Sequence, residues 1–144
     1  DVNFCVVVPN ALTLAGEELD WGDIAKLPWV WVEQGSPPYD LLLQKFSRYQ
    51  LIPQQAVKTV DEYIVKELVL DGQGVAVMRE DEARPMVDGG QVKIWGKGWL
   101  TLPLSLAWAA RAEGKQRIVN ARNVITYLWK SSHQASGDTA DFNY

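Results

Sequence analysis

VDEYIVKELVLDGQGVAVM, residues 60–78, is the stretch on which the reading of this chain turns: an amphipathic run, a Gly-Gln-Gly turn, then an apolar run. Ile64, Val65, Leu68 and Val69 fall at i, i+1, i+4 and i+5, the spacing of one buried helical face. Asp61 suits the N-cap, and Gly72 falls where a left-handed residue would end the helix. Val75 to Met78 then has the length and β-branched content of a strand. A glycine loop that cradles phosphate stands before a helix, where backbone N–H groups and the positive end of the dipole converge. Here the helix comes first. Glycines at its C-terminus meet a partial negative charge, which repels phosphate. The segment is a helix stop leading into a strand.

Outward from that joint, the same reading predicts alternating elements. FCVVVP (4–9) is a buried strand ended by Pro9, and ALTLAGEE (11–18) is a loop or short turn. WGDIAKL (21–27), preceded by Asp20, is a short capped helix. PWVWVE (28–33) is a strand with Trp29 and Trp31 on one face and Val30 and Val32 on the other. QGSPP (34–38) is a turn before the helix YDLLLQKFSRYQ (39–50). QQAVKT (54–59) is a strand leading to the Asp61 helix. REDEARPMVDGGQ (79–91) is a short helix with turns, VKIW (92–95) a strand and PLSLAWAA (103–110) another. KQRIVNARNVITYLWKS (115–131) closes as a helix, with Ile118, Ala121, Ile125, Leu128 and Trp129 along one stripe. Strands alternating with helices indicate an α/β sheet with crossover connections.

Composition narrows the function classes. The chain has 144 residues, enough for one domain with a core, and a formal net charge of −4. Lys and Arg are scattered singly, so no basic face for nucleic acid is evident. No apolar run reaches the ~20 residues that span a bilayer. The chain opens on a strand-like VNFCVVVP without Met and reads as a piece of a longer protein. Cys5, the single cysteine, lies in an apolar strand and reads as a buried thiol. The single histidine, His133, falls in the polar tail SSHQASGDTADFNY, which reads as disordered. No His-based triad, metal site or cofactor site can be assembled. REDEAR reads as a solvated charged face rather than a catalytic carboxylate pair, so no enzyme is expected. The seven tryptophans are expected chiefly in the core, with Trp99 in WGKGWLTLP facing something else.

The order of motifs brings a resemblance. VVVPNALTLAGEELDWGDIAKLPWVWVEQGSP (6–37) resembles the segment of LysR-type transcriptional regulators that crosses into the second lobe of their effector-binding domain. In that family an apolar strand leads to an HPLA-like turn, a short capped helix and a strand opened by PWI. ELVLDGQGVAVM (67–78) is similar to the family's LVxxGxGxxxLP passage, and LPLSLAW (102–108) resembles its strand returning to the first lobe. The likeness covers roughly residues 3–131. NALTLAG departs from it by lacking His-Pro, and VMREDEA by placing charges where an apolar residue and Pro are usual.

The resemblance implies an α/β lobe like that of type 2 periplasmic binding proteins, a mixed sheet flanked by helices. The second lobe would occupy about 5–103, a returning strand and closing helix about 104–131, and the tail 132–144. It implies a small-molecule effector bound between lobes and a cytoplasmic homo-oligomer that meets DNA only through a domain outside this chain. Two other readings share these features: a solute-binding protein of a transport system, and a domain that serves mainly for assembly.

By position, the family's cleft maps to Ser36, Pro37, Pro38 and Tyr39, then to Thr59, Val60 and Asp61. Both junctions open helices, whose unpaired N–H groups can hold an acid group. Ser36 and Tyr39 offer hydroxyls, for turn bonding or for a ligand, while Pro37 and Pro38 remove donors. Asp40 and Asp61, expected to cap their own helices, and Glu33 at the strand end disfavour an anion. A neutral, amine-bearing or amphoteric ligand fits that charge better, unless Arg79 or the other lobe supplies a counter-charge.

Overall fold

The computed structural model describes residues 1–14, 16–32 and 35–137, with described side chains ending at Ser131. Glu33 and the last seven residues of the polar tail lie outside the described residues. The chain divides into two compact units, Asp1–Leu104 and Ser105–Tyr144.

The first unit runs β1 (Val2–Pro9), a 3-10 turn (Asn10–Leu12), α1 (Trp21–Lys26), β2 (Pro28–Val32), α2 (Pro37–Arg48) and β3 (Gln54–Thr59). It continues through α3 (Glu62–Leu70), β4 (Ala76–Arg79), α4 (Glu80–Asp88) and β5 (Val92–Leu102). β1 pairs antiparallel with both β4 and β5, and β2 pairs parallel with β3. One parallel bridge, Trp29 to Val75, joins the two sheets. There the Val30 amide donates to the Val75 carbonyl at 2.9 Å and the Val75 amide donates to the Pro28 carbonyl at 2.8 Å. The resulting order is β5-β1-β4-β2-β3, a mixed sheet of the kind expected.

Strand alternation sorts the core into two layers. Val6 and Val8 of β1, Trp29 and Trp31 of β2, and Val75 and Val77 pack with Leu42 and Phe46 of α2 and with Ile24 of α1. Their neighbours Cys5, Val7, Val30, Ala76 and Met78 point the other way, onto Val65 and Val69 of α3 and Ala83 and Met86 of α4. Each fully buried side chain of this size stabilises the fold by about 1.5–3 kcal/mol. Helices therefore cover both faces. Burial pushes the Cys5 thiol up to about 11, with Glu80 adding to the shift, so it sits in the core as a neutral thiol.

β5 is longer than VKIW suggests. Between the Cys5–Trp99 and Val7–Ile94 pairs, two steps along β1 answer five along β5, a bulge that carries the strand on to Leu102. Gly98 is required there, because a Cβ would come 2.5 Å from that of Val6. Trp95 turns inward at the bulge and its indole N–H donates to the Leu19 carbonyl at 3.0 Å. Trp99, expected to face away, is half-buried against the α3–α4 layer, and its carbonyl accepts the Lys45 ammonium at 2.8 Å.

Other differences have local causes. Ile64 is 46% exposed, so the buried stripe of α3 is Val65 and Val69 with Leu68 half-covered. α2 begins at Pro37, not after the prolines, because the fixed φ of proline suits the first helical turn and its missing N–H costs nothing there. In the second unit, α5 (Gln116–Gly137) extends past residue 131, so the first six tail residues expected to be disordered are helical. The strand expected at 103–110 is absent. Residues 103–109 join no ladder among the described residues, and a strand exists only through its pairing. Within that unit the Arg122 guanidinium stands 5.8 Å over the Trp108 ring.

Helix ends follow the sequence closely. Asp20 and Asp23 form a reciprocal capping box on α1, and bonds from the Asp23 and Gly22 amides help hold the Asp20 carboxyl below its usual range. Three helices end in the same six-to-one motif. Gln73 donates to Leu68, Gln91 to Met86 and Leu51 to Phe46, each across a left-handed residue. Two of those residues are glycines, Gly72 at φ 77° and Gly90 at φ 70°, but the third is Gln50 at φ 55°. A Cβ is strained in that region. Gln50→Gly should therefore raise the stability of the chain by about 0.5–1 kcal/mol, the relief of the left-handed strain less the added chain entropy. Urea unfolding measures this, and an unchanged or lower midpoint would contradict it.

Candidate functional site

β2, β3 and β4 run in one direction, and each leads straight into a helix, α2, α3 or α4. Three helix N-termini therefore open at one edge of the sheet, the carboxyl ends of its parallel strands, where α/β folds bind ligands. β1 enters at the same edge in the opposite direction, with Phe4 in register with Arg79. An open cleft of about 920 Å³ lies there. Its walls include Phe4, Trp31, Ser36, Pro37, Pro38, Tyr39, Asp40, Lys58, Val60 and Glu62. A niche of about 20 Å³ adjoins it, sharing Phe4, Ser36, Pro38, Tyr39 and Glu62 and adding Met78, Arg79 and Glu82.

Of the residues singled out in the sequence, Ser36, Pro37, Pro38, Tyr39 and Val60 line this cleft together. Val60 is 80% exposed at its rim. Thr59 and Asp61 do not line it. The Asp61 carboxylate accepts the Tyr63 amide at 2.8 Å as the N-cap of α3, while the Thr59 hydroxyl accepts the Asp61 amide at 3.2 Å. Asp40 is not a cap. The N-cap of α2 is Ser36, whose hydroxyl makes no bond to the helix amides, and Asp40 sits one turn on, in the cleft wall.

Tyr39 differs most from its expected role. Its ring is buried, with Trp31 edge-on at 4.8 Å, and its hydroxyl is fully engaged. The hydroxyl donates to the Val30 carbonyl at 3.0 Å and accepts the Val77 amide at 3.2 Å. In a parallel ladder continuing past the Trp29–Val75 bridge, the Val77 amide would donate to the Val30 carbonyl directly. The phenol is inserted into that missing rung. Burial raises its pKa well above the ordinary tyrosine value, so it stays neutral. It is a spacer between β2 and β4, with no hydroxyl to spare for a ligand.

The electrostatics are uneven. Pro37 and Pro38 have no N–H, so the start of α2 lacks two of its orphan donors. Asp61 already uses one amide of α3. Arg79, the cation nearest the niche, is held by the Asp81 carboxylate through Nε at 3.0 Å and a terminal nitrogen at 2.5 Å. Arg84 is likewise on Glu80, whose carboxyl is kept below its usual range chiefly by that bond and by the Asn3 amide. Among the described residues, no group of three or more His, Cys, Asp or Glu could hold a metal ion. No helix among them is long and apolar enough to cross a membrane.

Sequence reasoning missed Phe4, Trp31, Lys58 and Glu62. Trp31 and Glu62 could have been found by treating every strand end and helix start at the edge alike. Phe4 could not, since its position depends on the long-range register of β1. The role of Tyr39 yields a test. Tyr39→Phe keeps the ring but leaves a buried amide and carbonyl without their partner, and should cost about 1–3 kcal/mol in denaturant unfolding. A wild-type midpoint would show that the rung closes without the hydroxyl.

The LysR substrate binding domain model matches residues 1–132. No curated protein sequence matches the chain. Among solved structures it is similar to the regulatory domain of HypT from Salmonella typhimurium in its apo form, at TM-score 0.57 and 16% identity, over 83% of this chain and 60% of that one. It is similar to the Synechocystis CcmR regulatory domain in complex with 2-PG, at TM-score 0.58 and 12% identity, over 87% and 63%. It is also similar to the effector binding domain of QuiR in complex with shikimate, at TM-score 0.54 and 18% identity, over 72% and 47%. The chain thus spans about half to two-thirds of those chains, and the likeness is one of fold. This chain belongs to the LysR substrate-binding domain family, a family of regulatory ligand-binding domains of transcription factors.

Proposed function

We propose that this chain is part of the effector-sensing domain of a cytoplasmic LysR-type transcriptional regulator, with the unit Asp1–Leu104 as its second lobe. A small molecule binds in the cleft at the carboxyl edge of the sheet, against Ser36, Pro37, Pro38, Val60 and the aromatic wall of Phe4 and Trp31. The observation that carries this reading is the convergence of two strand–helix junctions, β2–α2 and β3–α3, on one open cleft of about 920 Å³, with the β4–α4 junction on the niche beside it, in a chain of this family. DNA contact belongs to a domain outside this chain, in keeping with its formal net charge of −4. The family match also favours a regulator over a solute-binding protein of transport, which the fold alone would allow.

An effector acts here by binding one lobe arrangement better than another, so its response depends on cleft contacts while resting DNA affinity does not. Val60→Trp, which fills the cleft mouth, and Ser36→Ala should each shift the effector dose–response of the intact regulator. Val60→Trp should weaken it by about tenfold or more, the effect of losing one good contact. DNA affinity without effector should stay within twofold, which is about 0.4 kcal/mol. Dose–response curves identical to wild type in both variants would reject the site.

A second property of the same regulator, self-association, is favoured by the exposed apolar residues of α5. Val124, Ile125, Tyr127 and Leu128 are 43–71% exposed on one helix. Apolar surface of that kind marks an interaction face. Sedimentation of the chain across a dilution series should show reversible association that Ile125→Glu with Leu128→Glu abolishes. A strictly monomeric wild type would refute it.

A further inference from the structure

We infer that the small niche beside the cleft is a subsite for an ammonium group, so that this lobe selects amine-bearing ligands over carboxylates. The inference rests on the cleft being the effector site, and it adds the chemical class of the ligand. Its basis is the fit of size, charge and donor supply at one point.

Size comes first. The niche measures about 20 Å³, above the ~10–15 Å³ that holds one water-sized group. An ammonium head is of that size, whereas a carboxylate or phosphate is larger and brings two or three oxygens that need donors. The niche opens beside the cleft, with which it shares Phe4, Ser36 and Glu62, so a ligand body can lie in the cleft with only its head inside.

Charge and donors agree with this. Glu62 and Glu82 line the niche, and the one cation in its wall, Arg79, is bound two-pronged to Asp81. An anion would meet two carboxylates and a guanidinium already in use. The donors that helix starts usually offer to anions are also reduced here. α2 opens with two prolines, and Asp61 holds an amide of α3. What remains is acceptor-rich: two carboxylates and the Ser36 hydroxyl, which makes no bond to the α2 amides. Phe4 adds an aromatic surface of the kind that attracts cations. An ammonium has three donors and no acceptor, the complement of that set.

Three probes that share a phenyl ring test this: benzylamine, benzoate and benzyl alcohol, titrated into the 144-residue chain at neutral pH. Binding is read from the amide resonances of Gly35, Ser36 and Val60. Benzylamine should bind about tenfold tighter than benzoate, the preference expected from one or two charge contacts at surface dielectric. Benzyl alcohol should fall between them. The double variant Glu62→Gln with Glu82→Gln should lose the preference for the amine over benzoate. Benzoate binding as well as or better than benzylamine would overturn the inference and leave the cleft reading standing. A preference that survives in the double variant would overturn the assignment to these carboxylates. If none of the three probes moves the cleft resonances, the cleft reading fails and this inference fails with it.

Discussion

The Tyr39 hydroxyl between β2 and β4 is the contact on which the geometry of this lobe depends. Past the Trp29–Val75 bridge the two strands would ordinarily continue their ladder. Instead a phenol stands between the Val30 carbonyl and the Val77 amide, satisfying both while holding them apart. Two strands kept from zipping at their carboxyl ends leave room, and the niche lined by Val32, Tyr39, Val77 and Met78 lies there, beside the cleft. A water could bridge the same two groups, but it would not hold a fixed separation. The tyrosine does, because its ring is buried, with Trp31 edge-on, and is carried on the first turn of α2. α2 starts at Pro37, so its register, and with it the reach of Tyr39, is fixed by a residue with one allowed φ.

That arrangement links the fold to the chemistry of the edge. Three helices starting together would ordinarily sum their dipoles into an anion site. Each of the three is muted differently here. Prolines take donors from α2, Asp61 occupies an amide of α3, and α4 opens with Glu80, Asp81 and Glu82. Acidic residues in a first turn stabilise a helix on their own account, so each is sufficiently explained by its own helix. The combined effect falls on the cleft and its niche, where Asp40 and Glu62 line the first and Glu62 and Glu82 the second. Lys58 on the cleft wall is the cation left to oppose them there, since Arg79 is spent on Asp81.

Much of the fold was legible because its signals are local. The alternation in PWVWV and in FCVVV sorted residues between two core layers, and Asp20, Asp61 and Gly72 marked helix ends where the structure has them. The misreadings came from non-local causes. LSLAWAA has strand composition but pairs with no edge among the described residues, and pairing cannot be read from one segment. The Tyr39 hydroxyl reads equally as a turn or a ligand contact, because the sequence does not reveal that β2 and β4 separate beside it. Trp99 follows two glycines and reads as exposed, yet the bulge they permit turns the strand back over the core. For the cleft, Ser36 to Tyr39 and Val60 came from strand–helix junctions, whereas Phe4 came only with the register of β1 on β4.

Asp40 and Asp61 show how one residue type at two similar junctions takes two roles. Both aspartates stand near the start of a helix, and both were read as caps. At Asp61 the strand ends at Thr59 and the aspartate is itself extended, the last non-helical residue, so its carboxylate reaches the Tyr63 amide. At Asp40 two prolines stand in the way. Pro37 begins the helix, and by Asp40 the backbone amide already donates to the Ser36 carbonyl at 3.1 Å. Asp40 thus lies inside the helix, and its carboxylate is exposed along the cleft wall. The pair of prolines thus does more than stiffen a turn. It moves the helix start upstream, withdraws donors from the cleft and converts what would be a capping carboxylate into a charge that a ligand can meet.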